Sequence, residues 1–486
     1  MPGPAQAGAP RRVGRRGGGE RARARVGAQG VLRMDRQPAS RRGATRREGL
    51  ASLLSGATAG GALLAACAAP DGAGSGSVDT SPAPSGAVEW WLLLNNAKEK
   101  EILEDRVYAD FLKERPQLKL NLTVISGWDN VYTKFLAALA AGTPPEIGRI
   151  KDYWTSDFVL RDALLPLDPY LKADKIDLPA KHGAARLVST QEAGRTYALP
   201  LTTFTLNQYY NPELLREFGY VKGTTVVPPE TWDERRDMAR RMTDRTRDRW
   251  GHMHRSYSAN QSTTTDYMQF AMQNGVEWMN KDRTRFTFNT PEAIETLQHL
   301  YDMVWKDQST IPPGYQIERP RETNRVALWT EGAWLVPGYR TTAPDMKFAV
   351  ALNPQKQSRA VMIQGNNFTV FKGGKLCDLA WTVGRHLNRE ASDLTWSAES
   401  GYPPTMLANL GKPPFSTDPD WVTVMQQLRR PDSKPYPIVT NYQEMMNVIG
   451  EELLATFQNQ KTPKDGVADA HRRAQLLLDT EVARRK

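Results

Sequence analysis

The residues of this sequence whose types and positions could do chemistry are aromatic rings interleaved with amides, hydroxyls and a few charges. Thirteen tryptophans are present, several of them just beyond a short apolar run. Trp128 is one, and Lys151, Asp152, Tyr153 and Trp154 form a consecutive group after another such run. Asn95 and Asn96, Thr202 and Thr203, and Asn366 and Asn367 add amides and hydroxyls. Aromatic faces beside fixed polar groups suit non-covalent capture of a small solute. Covalent chemistry finds less support. The six histidines are scattered, and the closest pair, His252 and His254, reads as a solvated strand or loop pair. No H-E-x-x-H, C-x-x-C or P-loop pattern occurs, so neither a metal nor a cofactor is expected. Each polar candidate also has a bland reading. Asn95 and Asn96 bind hydroxyls or cap the next helix; Trp154 reaches a ligand or anchors its loop in the core; Thr203 touches ligand or only steadies a crossing between domains.

These residues need elements to position them. Val88-Glu89-Trp90-Trp91-Leu92-Leu93-Leu94 is an apolar run suited to a buried strand, and at most one of its tryptophans can face a cleft. Leu103, Val107, Tyr108, Phe111 and Leu112 recur at helical spacing until Pro116. Leu118, Leu120, Leu122 and Val124 then alternate with polar residues as a strand does. Tyr132, Phe135, Leu136 and Leu139 mark a second amphipathic helix closed by Gly142, and Glu146–Ile150 reads as a third strand. Strand, helix, strand, helix, strand predicts a mainly parallel sheet, with ligands bound at the loops beyond the strands' carboxyl ends. Thr231-Trp232-Asp233-Glu234 is a capping box, so Trp232 is structural. Thr290-Pro291 and Thr462-Pro463 open further helices.

Charge is distributed unevenly. The chain carries 64 basic and 54 acidic residues, a formal net charge of +10. Arginines 11, 12, 15, 16, 21, 23, 25, 33, 36, 41, 42, 46 and 47 face only Glu20, Asp35 and Glu48 in residues 1–48. The remainder is neutral overall, which argues against a nucleic-acid partner. Residues 49–66 are uncharged and rich in small residues, ending in Leu64-Ala65-Ala66-Cys67. A basic section, an apolar section and small residues before a cysteine make an export signal over 1–66, and Leu-Ala-Ala-Cys resembles the bacterial lipobox, so Cys67 is expected to carry lipid. Arg46-Arg47 resembles the twin-arginine export pair, with Gly49 where that motif usually has phenylalanine. Residues 67–87 lack large apolar side chains except Val78 and read as a flexible tether.

From Val88 onward the chain resembles the family 1 extracellular solute-binding proteins, the maltose-binding-protein-like receptors of ABC importers. The resemblance rests on an ordered series: Phe111–Pro116 with Lys119-Leu120, Trp128–Pro145, Leu164–Asp168, Gly194–Pro200, Tyr209-Tyr210-Asn211, Pro228–Glu234, Glu331-Gly332-Ala333-Trp334 and Gly401-Tyr402-Pro403-Pro404. It implies a two-lobed α/β fold of the periplasmic-binding-protein type II kind, each lobe a mainly parallel sheet flanked by helices, joined by a hinge. The implied lobes are 88–200 with 358–405, and 204–354 with 406–486. Trp334 matches a family position that stacks on sugar, and Tyr442 lies in a segment that supplies a stacking aromatic in some relatives, a core tyrosine being the alternative.

The resemblance implies a monomeric, non-enzymatic receptor, lipid-anchored and facing outward. It would capture a mono- or oligosaccharide and deliver it to the membrane subunits of an ABC permease. Phosphate-bearing solutes would call for converging cations, of which only Lys151 and Arg340 stand out. The rivals are a secreted glycoside hydrolase, which needs two carboxylates about 5 to 9 Å apart, and a sensor or adhesion lipoprotein with the same fold. Residues 1–33 have no role in an export signal, so translation is expected to start at Met34. Peptide mapping of the cellular protein checks this, and any peptide from upstream of Met34 contradicts it.

Overall fold

The computed structural model describes residues 86–95 and 98–484. The export signal, Cys67 and Asn96 lie outside the described residues, as does the tether up to residue 85. Strand β1 (Gly86–Leu92) buries Val88, Trp90 and Leu92 on one face, as period-two alternation requires. It pairs in parallel with β2 (Leu118–Val124), from Gly86 opposite Leu118 to Leu92 opposite Val124. Between them the chain forms a π-helical segment, Ile102–Val107, flanked by short α-helices. Helix α1 (Trp128–Ala140) buries Val131, Phe135 and Ala138, residues one helical turn apart. Strand β3 (Ile147–Lys151) then lies parallel to β1 on its other side. Trp128, read from sequence as a loop residue, is the first residue of α1.

Strand β4 (Ala198–Phe204) and strand β5 (Leu206–Tyr210) are separated only by Thr205, yet they belong to different sheets. The chain continues through α2 (Trp232–Met242), β6 (Trp250–Met253), α3 (Gln261–Gln273), α4 (Pro291–Trp305), β7 (Val326–Gly332) and β8 (Ala349–Ala351). It returns along β9 (Met362–Val370), then forms α5 (Glu390–Ser400), β10 (Lys434–Pro435), α6 (Tyr442–Phe457) and α7 (Pro463–Arg484). The first sheet runs β2-β1-β3-β9, with β4 and β10 both paired to β9; the second runs β6-β7-β5-β8. The chain thus crosses between sheets at Thr205 and again between Ala351 and Met362.

Both sheets were expected to be mainly parallel, and the second differs. In the first, β1–β2, β1–β3 and β9–β10 are parallel while β9 runs antiparallel to β3 and β4. In the second only β6–β7 is parallel, and β5 is antiparallel to both β7 and β8. Parallel neighbours need a crossover of a dozen residues or more. Strand β5 arrives directly from the first sheet without one, and it inserts reversed between β7 and β8.

The histidine pair is also not solvated. His252 and His254 are buried beneath α2 and α4: His252 Nε2 lies 2.6 Å from Arg235 Nη2, and His254 Nε2 lies 3.3 Å from the Leu300 carbonyl. Burial depresses both imidazoles, His254 to about 3, so both remain neutral near pH 7.

The capping box read at Thr231 is complete. Its hydroxyl accepts the Glu234 N–H at 3.2 Å, and the Glu234 carboxylate accepts the Thr231 N–H at 3.2 Å. Thr231→Ala removes one of these bonds and is expected to lower stability by about 1 kcal/mol. Urea denaturation measures this; no shift in the midpoint would contradict the assigned role.

Candidate functional site

A cavity of about 290 Å³ lies where the carboxyl ends of strands from both sheets converge. The first sheet contributes Asn95 beyond β1, Trp128 beyond β2, Lys151, Asp152 and Tyr153 at the end of β3, and Gln364, Gly365 and Asn366 in β9. The second contributes Arg255 beyond β6, and Glu331 and Trp334 at and beyond the end of β7. Gln261 and Ser262 open α3, and Phe204, Leu335, Tyr402 and Tyr436 complete the lining.

The rigid floor is built on Arg149, which β3 carries into a wholly buried position. Its Nη1 donates to Glu99 Oε2 at 2.9 Å, its Nη2 to Tyr402 Oη at 2.9 Å, and both Nε and Nη2 donate to Asn366 Oδ1, at 3.1 and 2.9 Å. Asn95 joins by donating to Glu99 Oε1 at 3.2 Å and to the Tyr402 hydroxyl. Burial raises the Glu99 carboxyl pKa above the usual range, and Arg149 opposes that rise. One guanidinium therefore fixes two lining residues, Asn366 and Tyr402, and, through Glu99 and Tyr402, also Asn95.

Aromatic faces are placed by the same framework. Tyr402 follows Gly401, which ends α5 with φ +88°, a backbone conformation glycine adopts without steric cost. Its ring stacks at 6.2 Å and 17° on Trp396 and at 6.1 Å and 30° on Trp334. Trp334 also meets Phe204 edge-on at 4.8 Å. Gly332 is required by this arrangement, because a β-carbon there would fall within 1.8 Å of the Trp334 ring. On the opposite wall Trp128 packs edge-on against Trp154 at 5.7 Å, and the Lys151 ammonium sits 5.3 Å from the Trp128 ring centre and 5.6 Å from that of Tyr153.

Charge in the cavity is asymmetric in its pairing. Asp152 Oδ2 accepts the Gly365 N–H at 2.8 Å, Oδ1 accepts the Tyr153 N–H at 3.0 Å, and Arg186 stands 3.8 Å away. Burial pushes the Asp152 carboxyl up to about 6, against the pull of Arg186 and these N–H groups. Glu331 Oε2 accepts from Arg321 at 2.9 Å. Burial, reinforced by Arg255, brings the Lys151 ammonium down to about 7, against Asp152 and Asp129.

Of the residues singled out in the sequence, Asn95, Trp128, Lys151, Asp152, Asn366 and Trp334 line this cavity. Four others are in the core instead. Asn367 lies on the other side of β9 from Asn366, past an irregularity in the pairing with β4. It accepts from Arg186 at 2.9 Å and donates to the Ser189 carbonyl at 2.8 Å. Thr203 is buried in β4 with its hydroxyl 3.5 Å from the Gln364 carbonyl. Trp154 is buried and donates its indole N–H to Gln443 at 3.0 Å. Tyr442 is buried at the start of α6, edge-on to Tyr153 and Tyr436. Arg340 is outside the cavity, paired with Asp418 and Asp420 at 2.8 and 2.9 Å. Sequence reasoning passed over Arg255, Glu331, Gln364 and Tyr402. Arg255 follows a strand as Trp128 does, and Glu331 and Tyr402 lie inside motifs already singled out.

The family described as bacterial extracellular solute-binding protein matches residues 94–383. An arabinooligosaccharide-binding protein of Halalkalibacterium halodurans is 24% identical over 266 residues, which are 52% of this chain and 56% of that protein, so this match spans little more than half of the relative. The sn-glycerol-3-phosphate-binding periplasmic protein of Pectobacterium atrosepticum is 22% identical over 428 residues, 80% of this chain and 91% of the relative. Among solved structures, a solute-binding protein of an ABC transporter from Thermotoga lettingae bound with α-D-tagatose has a TM-score of 0.73 at 23% identity, covering 81% of this chain and all of that one. The maltose-bound MalE3 of T. maritima has a TM-score of 0.71 at 20% identity, covering 80% of this chain and 99% of that one. At these identities the structural likeness is one of fold: two α/β lobes around a cleft.

Replacing Arg149 by Met would leave the Glu99 carboxylate buried without its guanidinium. Breaking a buried pair in this way costs about 3–5 kcal/mol, so R149M should lower the urea midpoint far more than T231A does. Equal effects of the two substitutions would contradict the organising role given to Arg149.

Proposed function

The chain belongs to the bacterial extracellular solute-binding protein family, and on that premise we propose that it captures a carbohydrate or polyol between its two lobes and delivers it to an ABC-type permease. One observation carries this reading: aromatic faces from both sheets and fixed amides from the first line one cavity. Trp334, backed by Tyr402, supplies a face for the C–H side of a sugar ring. Asn95, Asn366 and Gln364 supply amides for its hydroxyls, and Trp128 closes the opposite side. Binding by groups from two lobes favours the arrangement in which both touch the solute, so ligand shifts an open–closed equilibrium by its differential affinity for the two states.

The lobes in this proposal are 86–204 with 358–405, and 206–354 with 406–486 apart from β10, which pairs with the first sheet, the first crossing moved to Thr205. Lipid on Cys67 and the tether, shortened to residue 85 by the start of β1 at Gly86, would hold the receptor on the outer side of the membrane, within reach of its permease.

A non-catalytic role is supported by the state of the two lining carboxylates. A glycosidase needs one carboxyl free to donate a proton and another free to attack or to activate water. Asp152 and Glu331 are instead held by Gly365 and Tyr153, and by Arg321. The relatives named above are binding proteins.

A thermal-shift screen of the purified protein against sugars and polyols tests the proposal. A ligand that binds only the folded state adds RT ln(1 + [L]/Kd), about 2.7 kcal/mol at a hundredfold excess over Kd. At least one sugar or polyol is expected to raise the melting temperature, and Trp334→Ala is expected to abolish that rise while leaving the unliganded protein folded. An unchanged rise in W334A removes Trp334 from the site, and hydrolysis of an oligosaccharide during the assay would contradict the non-catalytic reading.

A further inference from the structure

The hydrogen-bonding capacity that remains unused in the cavity is one-sided. Its two carboxylates are engaged, as described. Its two cations are not: among the described residues, no carboxylate oxygen lies within 4.0 Å of the Lys151 ammonium or the Arg255 guanidinium. The ring faces of Trp128 and Tyr153 are the contacts Lys151 makes. Arg255 lines the same cavity and disfavours the Lys151 charge, and the Arg255 Nε is buried without a hydrogen-bond partner among the described residues. Gln364 supplies an independent observation. It is only 7% exposed, its Oε1 accepts the Tyr436 hydroxyl at 2.9 Å, and its Nε2 donor, in a residue that lines the cavity, has no partner among the described residues. The first residues of α3, Gln261 and Ser262, line the same space, which puts the positive end of a thirteen-residue helix beside it.

Two like charges lining one cavity, next to an unpaired amide donor, are each unfavourable if it takes only neutral sugars. A neutral hydroxyl satisfies a donor but adds no counter-charge to the partial compensation that Asp152 and Asp129 give Lys151 and that Asp266 gives Arg255. An oxyanion compensates both and accepts from all three groups, and charge-assisted hydrogen bonds are about twice as strong as neutral ones. Building on the capture of a polyol in this cavity, we propose that the solute carries an anionic substituent, a phosphate ester or a carboxylate, seated among Lys151, Arg255 and Gln364, with its carbon skeleton against Trp334.

Isothermal titration of the purified protein with sn-glycerol 3-phosphate, glycerol, glucuronate and glucose tests this. The expected result is that one anionic member binds at least tenfold tighter than its neutral counterpart. Preference for glycerol phosphate identifies a phosphate ester, and preference for glucuronate identifies a carboxylate. Lys151→Met and Arg255→Met are each expected to weaken the anionic member roughly ten- to hundredfold and its neutral counterpart by a smaller factor. Circular dichroism confirms that the variants fold. If a neutral member binds as tightly as its anionic partner, or if both variants bind the anion as the unsubstituted protein does, the anionic assignment is overturned while capture of a polyol stands. If a wider sugar and polyol panel also gives no binding, both fall together.

Discussion

The site depends on one buried charge. Arg149 is inaccessible to water, and an isolated ion in that position would cost several kcal/mol. The offset comes from partners far apart in sequence: Glu99 beyond β1, Asn366 in β9 and Tyr402 beyond α5. Each of these residues serves the cavity. Glu99 holds the Asn95 amide, Asn366 lines the wall, and Tyr402 backs the Trp334 ring. The guanidinium's planar, multi-donor geometry makes this possible, since a lysine could not reach three partners in fixed directions. Stability and preorganisation are therefore the same set of bonds.

The cavity has a division of labour along the same lines. Its acids are held by backbone N–H groups and by arginines outside it, while its cations face the open space. The first arrangement fixes the carboxylates' orientation. The second leaves a positive field where a solute would lie, and the aromatic stack from Trp396 through Tyr402 to Trp334 supplies the neutral surface beside it.

Local order was legible in the sequence where it is locally determined. The strand over Val88–Leu92, helix Trp128–Ala140 and the capping box at Thr231 follow from periodicity and caps. The ordered motifs gave the two-lobed class. What was hidden is what depends on pairing across the chain. Nothing near Arg149 announces that its partners lie at 99, 366 and 402. Asn366 and Asn367 look alike in sequence, and only strand alternation, with the irregularity between them, sends one to the cavity and the other to Arg186. The antiparallel insertion of β5 between β7 and β8 pairs it with strands more than 100 residues further along the chain, which strand propensity does not express. Of the two cations that stand out in the sequence, Lys151 lines the cavity and Arg340 does not, its two aspartate partners lying about 80 residues away, whereas Arg255 has no motif to draw attention to it.

The central claim is that one solute is gripped from both lobes at once. Hydrogen–deuterium exchange, followed by mass spectrometry, measures this directly with maltose, an arabino-oligosaccharide, glycerol and sn-glycerol 3-phosphate as probes. The account predicts that a binding probe slows exchange in two groups of segments together: residues 128–132 and 149–154 of the first lobe, and 255–262 and 331–335 of the second. Protection confined to one lobe, or to neither with every probe, would contradict it.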